Sequence, residues 1–186
     1  SDTNDEGILK AAASGSLPNG KPVVVNADGT VSVVGETSVS QSAGSLSEFA
    51  SSIGSSVLTG STFDSSAGKV VVAYQDAGDS NKGKAAVGTV SGDSISFGTP
   101  VTFNTGQSSN FAATFDSSNS KVVIAYTDIG NSNRGTAVVA TVSGTNISFG
   151  SEAVFETGAT YGAAAAFDSY NDKVVITYQD NSNNNF

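Results

Sequence analysis

Phe115-Asp116-Ser117-Ser118-Asn119-Ser120-Lys121-Val122-Val123-Ile124-Ala125-Tyr126-Thr127-Asp128 is the stretch that decides the fold. Its second half, Lys121 to Tyr126, is short, apolar and rich in β-branched residues, which suits a strand covered on both faces. The first half, Asp116 to Ser120, is a turn by composition. The same wording stands 52 residues to either side, as Phe63-Asp64 with Lys69-Val70-Val71 and as Phe167-Asp168 with Lys173-Val174-Val175. Between residues 63–106 and 115–158, 27 of 44 positions are identical. A fixed period of this kind marks repeated supersecondary units.

Working outward, each unit reads as four strands. The first is the small-residue stretch at 111–115, or 161–167 in the next copy, and the second is Lys121 to Tyr126. The third is 136–142. The fourth begins at Ile147-Ser148-Phe149, alternating apolar and polar as a half-buried strand does, and resumes at 153–155 after a bulge at Gly150. Ser143-Gly144-Thr145-Asn146 is a hairpin turn by length and composition. A four-stranded antiparallel unit repeated near every 50 residues reads as a β-propeller blade, with the Ala-rich first strand innermost, where neighbours crowd. Other repeated β-architectures share these features.

The fold class expected is therefore all-β, with repeated four-stranded antiparallel units in an incomplete ring behind an N-terminal β-hairpin. Residues 1–34 read as an attachment segment. Within it Pro22-Val23-Val24-Val25 and Thr30-Val31-Ser32-Val33-Val34 flank the turn Asn26-Ala27-Asp28-Gly29, and residues 2–14 carry a short helical pattern around Ile8 to Ala13. Residues 35–45 read as a polar linker. Residues 46–186 form the repeat module, with two full and two partial repeats, the first partial one marked by Ser47-Glu48 and Gly54. A ring needs about four blades to close, so either further chain follows, other chains complete it, or the repeats do not form a closed ring. A two-stranded hairpin is marginal alone and is expected to dock on another copy or on a partner.

Composition narrows function. Eight Lys and Arg stand against seventeen Asp and Glu, a net charge of −9. The basic residues are scattered, which argues against a nucleic-acid or anionic-membrane surface. No apolar stretch approaches the roughly 20 residues that span a bilayer. With no His and no Cys, Ser-His-Asp and Cys-His catalysis and the usual zinc ligands are absent. Asp76 and Asp128 are the carboxylates a glycosidase would need, but they recur at one repeat position, which points to loop structuring. No residue is assigned as catalytic, cofactor-binding or metal-binding, and no cofactor is expected.

Two loops stand out, Asp76-Ala77-Gly78-Asp79-Ser80-Asn81 and Asp128-Ile129-Gly130-Asn131-Ser132-Asn133. Their Asp-x-Gly-x-Ser pattern fits a hydrogen-bonded turn in which side chains cap nearby amides. Calcium, with its taste for many oxygen ligands, is the other reading. Tyr74, Tyr126 and Tyr178 beside these loops either stack on sugars or close the core with the hydroxyl at its edge. Phe63, Phe115 and Phe167 are expected to turn a ring into the core at each strand end, with equal burial in each copy.

The wording of two segments carries a resemblance. Leu17-Pro18-Asn19-Gly20-Lys21-Pro22-Val23-Val24-Val25-Asn26-Ala27-Asp28-Gly29-Thr30-Val31-Ser32-Val33 resembles a segment of virion proteins of marine tailed phages. Lys121 to Asp128, followed by Thr141 to Gly150, resembles the repeats of large structural proteins in cyanophages and related phages. The resemblance spans most of residues 15–186. It implies a virion or extracellular structural protein, a tail fibre, head fibre or decoration protein. It also implies other virion proteins and a homo-oligomer, a trimer by analogy with fibres, as partners, and a host-surface glycan or protein as target. It transfers no catalytic residue. A bacterial adhesin or filament subunit built from the same repeats is the alternative, and a propeller glycosidase or lyase a third reading.

Overall fold

The computed structural model describes residues 12–13, 23–28, 30–33, 46–54 and 58–182. The protein is all-β and falls into two compact units, Ser1–Ser42 and Ala43–Phe186. Among the described residues no helix is long and apolar enough to cross a membrane.

The smaller unit contains β1 (Ala12–Ala13), β2 (Val23–Val25) and β3 (Thr30–Val33), in the order β1-β3-β2. The expected hairpin is β2 and β3, with Val24 opposite Ser32. Asp28 accepts from the Thr30 amide at 2.9 Å and the Thr30 hydroxyl at 2.7 Å, which pins the turn. The helical expectation fails where it can be checked: Ala12 and Ala13 pair parallel to Thr30 and Val31. Alanine favours helix in isolation, but an open strand edge beside it offers ladder bonds, and tertiary context overrides propensity. Residues 2–11 and 35–45 lie outside the described residues.

The larger unit runs β4 (Gly60–Asp64), β5 (Lys69–Asp76), β6 (Lys82–Ser91), β7 (Ser94–Phe97), β8 (Val101–Asp116), β9 (Lys121–Asp128), β10 (Arg134–Ser143), β11 (Asn146–Phe149), β12 (Ala153–Asp168) and β13 (Lys173–Asp180). Together they form one ten-stranded antiparallel sheet, curled into a half-barrel, in the order β13-β12-β10-β9-β8-β6-β5-β4 with β7 and β11 beside β6 and β10. This departs from the separate four-stranded units read from the sequence. Strands expected to be distinct, the fourth of one copy and the first of the next, are fused into the 16-residue β8 and β12. Residues 101–107 of β8 pair with β6, and residues 108–116 pair with β9. Register shifts opposite Gly83 and between Ser109 and Ala112 let the strand change partners without breaking.

The core lies between the first and second copies. Val71 is opposite Val87 and Ala73 opposite Ala85. In the second copy Val122 is opposite Ala140 and Ile124 opposite Val138. These residues, with Phe103, Phe111 and Tyr126, make one buried cluster. The ring of Phe103 sits 5.1 Å from Tyr126, 5.5 Å from Phe149 and 6.0 Å from Phe111. Gly83 makes room for it, since a Cβ there would lie 2.7 Å from the ring. Phe155 stands 5.2 Å from Tyr178, and Phe49 stands 5.0 Å from Tyr74 and 5.3 Å from Phe97. The segment 46–54 thus supplies to the first copy the aromatic contact that Phe103 supplies to the second. It is held by the Ile53–Asp76 bridge and by Ala77 N donating to Ser52 O at 3.3 Å.

Equal burial of the three repeated phenylalanines does not hold. Phe115 is half-buried against the core, whereas Phe63 is 56% exposed. Register explains it. Phe115 lies on the Val122 face, which the first copy covers. Phe63 lies on the matching Val70 face, and the 46–54 segment leaves its ring uncovered.

Candidate functional site

The carboxylates that follow the repeated phenylalanines are committed to turns. Asp64 Oδ1 accepts from the amides of Ser66 and Ala67 at 3.0 and 2.9 Å. Asp116 Oδ1 accepts from Ser118 and Asn119 amides, and its Oδ2 from Asn119 Nδ2 at 2.9 Å. Asp168 repeats this with Tyr170 and Asn171. Hydrogen bonds from Asn119 and Asn171 hold the Asp116 and Asp168 carboxyls below the usual carboxylate range. Gly68, Ser120 and Asp172, closing these turns, all have left-handed φ between 53° and 63°.

The loops after β5 and β9 form 3-10 turns at Ala77–Asp79 and Ile129–Asn131. Ser80, Asn81, Ser132 and Asn133 follow with φ of 57–61°, where Ser and Asn are tolerated through local hydrogen bonds. In the first loop Asp76 Oδ1 accepts from Gly78 N at 2.9 Å and Oδ2 from Lys84 Nζ at 2.8 Å. Asp79 pairs with Lys82 and Lys84, both at 2.8 Å. These two lysines hold the Asp79 carboxyl down at about 2, and Asp76 and Asp79 raise Lys84. Lysine ammonium groups therefore take the oxygen atoms a calcium ion would need. Among the described residues no group of three or more His, Cys, Asp or Glu is placed to hold a metal.

The second loop is wired differently. Thr136 stands where Lys84 stands in the first copy, so Asp128 has no equivalent lysine. Asp128 is 6% exposed, and its Oδ1 has no hydrogen-bond partner. Asn104 Nδ2 and Arg134 Nε are likewise buried without partners. Arg134 Nη1 donates to Asn131 Oδ1 at 3.2 Å. A loop with a single carboxylate, Asp128, is poor cation chemistry. It is also poor acid–base chemistry, because the loop offers no second carboxylate in general-acid geometry.

The tyrosines divide. Tyr74 and Tyr126 are 1% exposed and belong to the core, not to a sugar-stacking surface. Burial, and then Glu152, push the Tyr126 phenol well above its ordinary range, and burial also raises Tyr74. Tyr178 is partly exposed and donates to Glu156 Oε2 at 3.1 Å, which raises its phenol. Sequence reasoning passed over Phe49 and Phe103, the rings that lock onto Tyr74 and Tyr126. Phe103 was findable, because it recurs as Phe155 one period on. Phe49 was not, because it lies two residues out of the repeat register.

Successive copies are tied through buried polar bonds. Gln75 Nε2 donates to Ser108 O at 2.6 Å, and Thr127 Oγ1, one period later, donates to Thr160 O at 3.1 Å. Ser108 N and Thr160 N donate back to Asn81 O and Asn133 O at 3.0 and 2.8 Å. Such ties fix one copy on the next, because leaving any of these groups buried and unpaired would cost about 1–3 kcal/mol. No protein-family model, curated protein or solved structure matches the chain.

Proposed function

We propose that the chain is a structural protein of a tailed-phage virion, a tail fibre or capsid appendage without enzymatic activity, that displays a repeated β-module towards the host surface. In this reading each 52-residue copy is a propeller-like blade whose fourth strand runs into the first strand of the next. Residues 1–34 attach to other virion proteins. Further copies of the chain, three by analogy with fibres, complete the assembly. A glycan or protein on the host cell surface is the target, gripped weakly at several points so that avidity supplies the strength.

The observation that carries this reading is the recurring buried tie at Gln75–Ser108 and Thr127–Thr160. It joins like units in series, and the conspicuous carboxylates Asp64, Asp76, Asp79 and Asp116 spend their oxygens on that scaffold. Repetition suits display and assembly, while virion location rests on the resemblance in residues 17–33, 121–128 and 141–150. Gold-labelled antibody against residues 60–180, applied to phage particles and to bacterial cells from cultures carrying the gene, tests it. Label on fibres or capsids is the expected result. Label on the cell envelope instead, with bare particles, would replace this reading with a bacterial adhesin.

A further inference from the structure

The same sheet face is covered in the first copy of the repeat, partly covered in the second, where Val139 is 46% exposed, and exposed in the third. In the first copy Val71 and Ala73 are fully buried beneath the second copy. One period on, Ala125 is fully buried, and Ala112 and Thr114 are 8% and 9% exposed. Another period on, the equivalent side chains Val175, Thr177, Ala164 and Ala166 are all exposed, Val175 at 50%. A depression of about 120 Å³ opens there, lined by Ala164, Ala165, Ala166, Val175 and Thr177. At the other end of the module lies the complement. Phe115, Val122 and Ile124 are the second-copy residues that pack into the core shared with Val71 and Ala73. Their first-copy equivalents are Phe63, 56% exposed, and the half-buried Val70 and Val72. The two faces of an interface the chain already makes internally thus each keep exposed side chains, Val175 and Thr177 on one and Phe63 on the other, where Val70 and Val72 are half-buried and Phe49 packs on the neighbouring Tyr74.

We infer that a second copy of this chain docks head to tail, setting its Phe63–Val70–Val72 face on the Val175–Thr177 face of the first. The chemistry of the occupant is fixed by the covered first copy: an apolar sheet face bearing a phenylalanine at the strand end. This chain carries such a face with its phenylalanine, Phe63, 56% exposed. The contact joins two different surfaces, so it closes into a ring if the rotation between copies divides a full turn and otherwise builds a filament. The inference rests on the homo-oligomer proposed above but not on virion placement. It moves self-association from the N-terminal hairpin to the repeat module, in keeping with β1 pairing against the hairpin's own β3.

Sedimentation velocity on the full chain over a wide concentration range tests it. Val175→Asp and Phe63→Asp each put a charge on one of the two faces at an exposed position, and circular dichroism melts confirm that both variants fold. The wild type should form larger species as concentration rises, and each variant alone should sediment as a monomer. An equimolar mixture should form one-to-one dimers and nothing larger, because each variant keeps the face the other has lost. A monomeric wild type overturns the inference. So does association blocked by one variant and not by the other, which would mean a face packing on its own copy. Association that survives both variants but is lost on removing residues 1–34 returns the contact to the hairpin and also overturns it. None of these outcomes bears on particle labelling, so failure here and failure of virion placement are read separately.

Discussion

Replacing Phe103 by Ala should loosen the second copy from the first. The ring is 9% exposed and lies within 6.0 Å, centre to centre, of Tyr126, Phe149 and Phe111. Truncating a buried Phe costs about 3–5 kcal/mol, the upper part of the range applying where neighbours cannot collapse into the space. Here the neighbours are three rings on a hydrogen-bonded sheet, so about 4 kcal/mol is expected. That is a large share of the about 5–15 kcal/mol that a domain has in total. With a urea m-value of about 2 kcal/mol/M, the unfolding midpoint should fall by about 2 M. Phe63→Ala is the control. Full burial of a Phe side chain contributes about 1.5–3 kcal/mol, and Phe63 is 56% exposed, so its loss should cost about 1 kcal/mol. The chain has no Trp and five Tyr, so tyrosine fluorescence follows unfolding directly, with Tyr126 reporting from beside the deleted ring. Equal midpoints for Phe103→Ala and wild type would refute the reasoning. Equal losses for Phe103→Ala and Phe63→Ala would show that the core does not lie between the copies.

Four further outcomes follow from particular contacts. Phe115→Ala should cost about 2 kcal/mol in thermal or urea melts, because its ring is half-buried against the core. Asn119→Ala in the exposed turn before β9 removes one bond to Asp116 and should stay within about 0.5 kcal/mol of wild type. Gly83→Ala would push a Cβ to 2.7 Å from the Phe103 ring and should destabilise by about 1–3 kcal/mol, read as a lower melting temperature. For pH, the folded Asp79 carboxyl is depressed from 3.8 to about 2 by Lys82 and Lys84. Its contribution is therefore complete above pH 3.8 and is lost as pH falls through about 2. Lys84→Met should flatten that acid-side loss of melting temperature relative to wild type, and parallel curves for the two proteins would contradict the pairing.

The sequence by itself determined the strands and their turns. Alternation, β-branched runs and Asp-Ser-Ser or Ser-Gly punctuation act over a few residues, so β9, the 116–120 turn and the β2–β3 hairpin were legible without tertiary information. Repetition predicts that Asp76 and Asp128 both structure their loops; the structure bears this out for Asp76, which caps Gly78 N and pairs with Lys84, but not for Asp128, which makes no side-chain cap bond and whose Oδ1 has no partner. Tertiary structure alone decided three things. It fused two expected strands into β8, because a continuous strand can change partners at bulges that no local pattern announces. It drew Ala12 and Ala13 into a parallel pairing against their helical propensity. It also made identical positions unequal: Val71 is fully buried and Val175 half exposed, and Phe115 is covered and Phe63 bare. A repeated sequence writes the same face into every copy, but burial depends on which neighbour lies against that face, and a position's place in the stack is not written in its own residues.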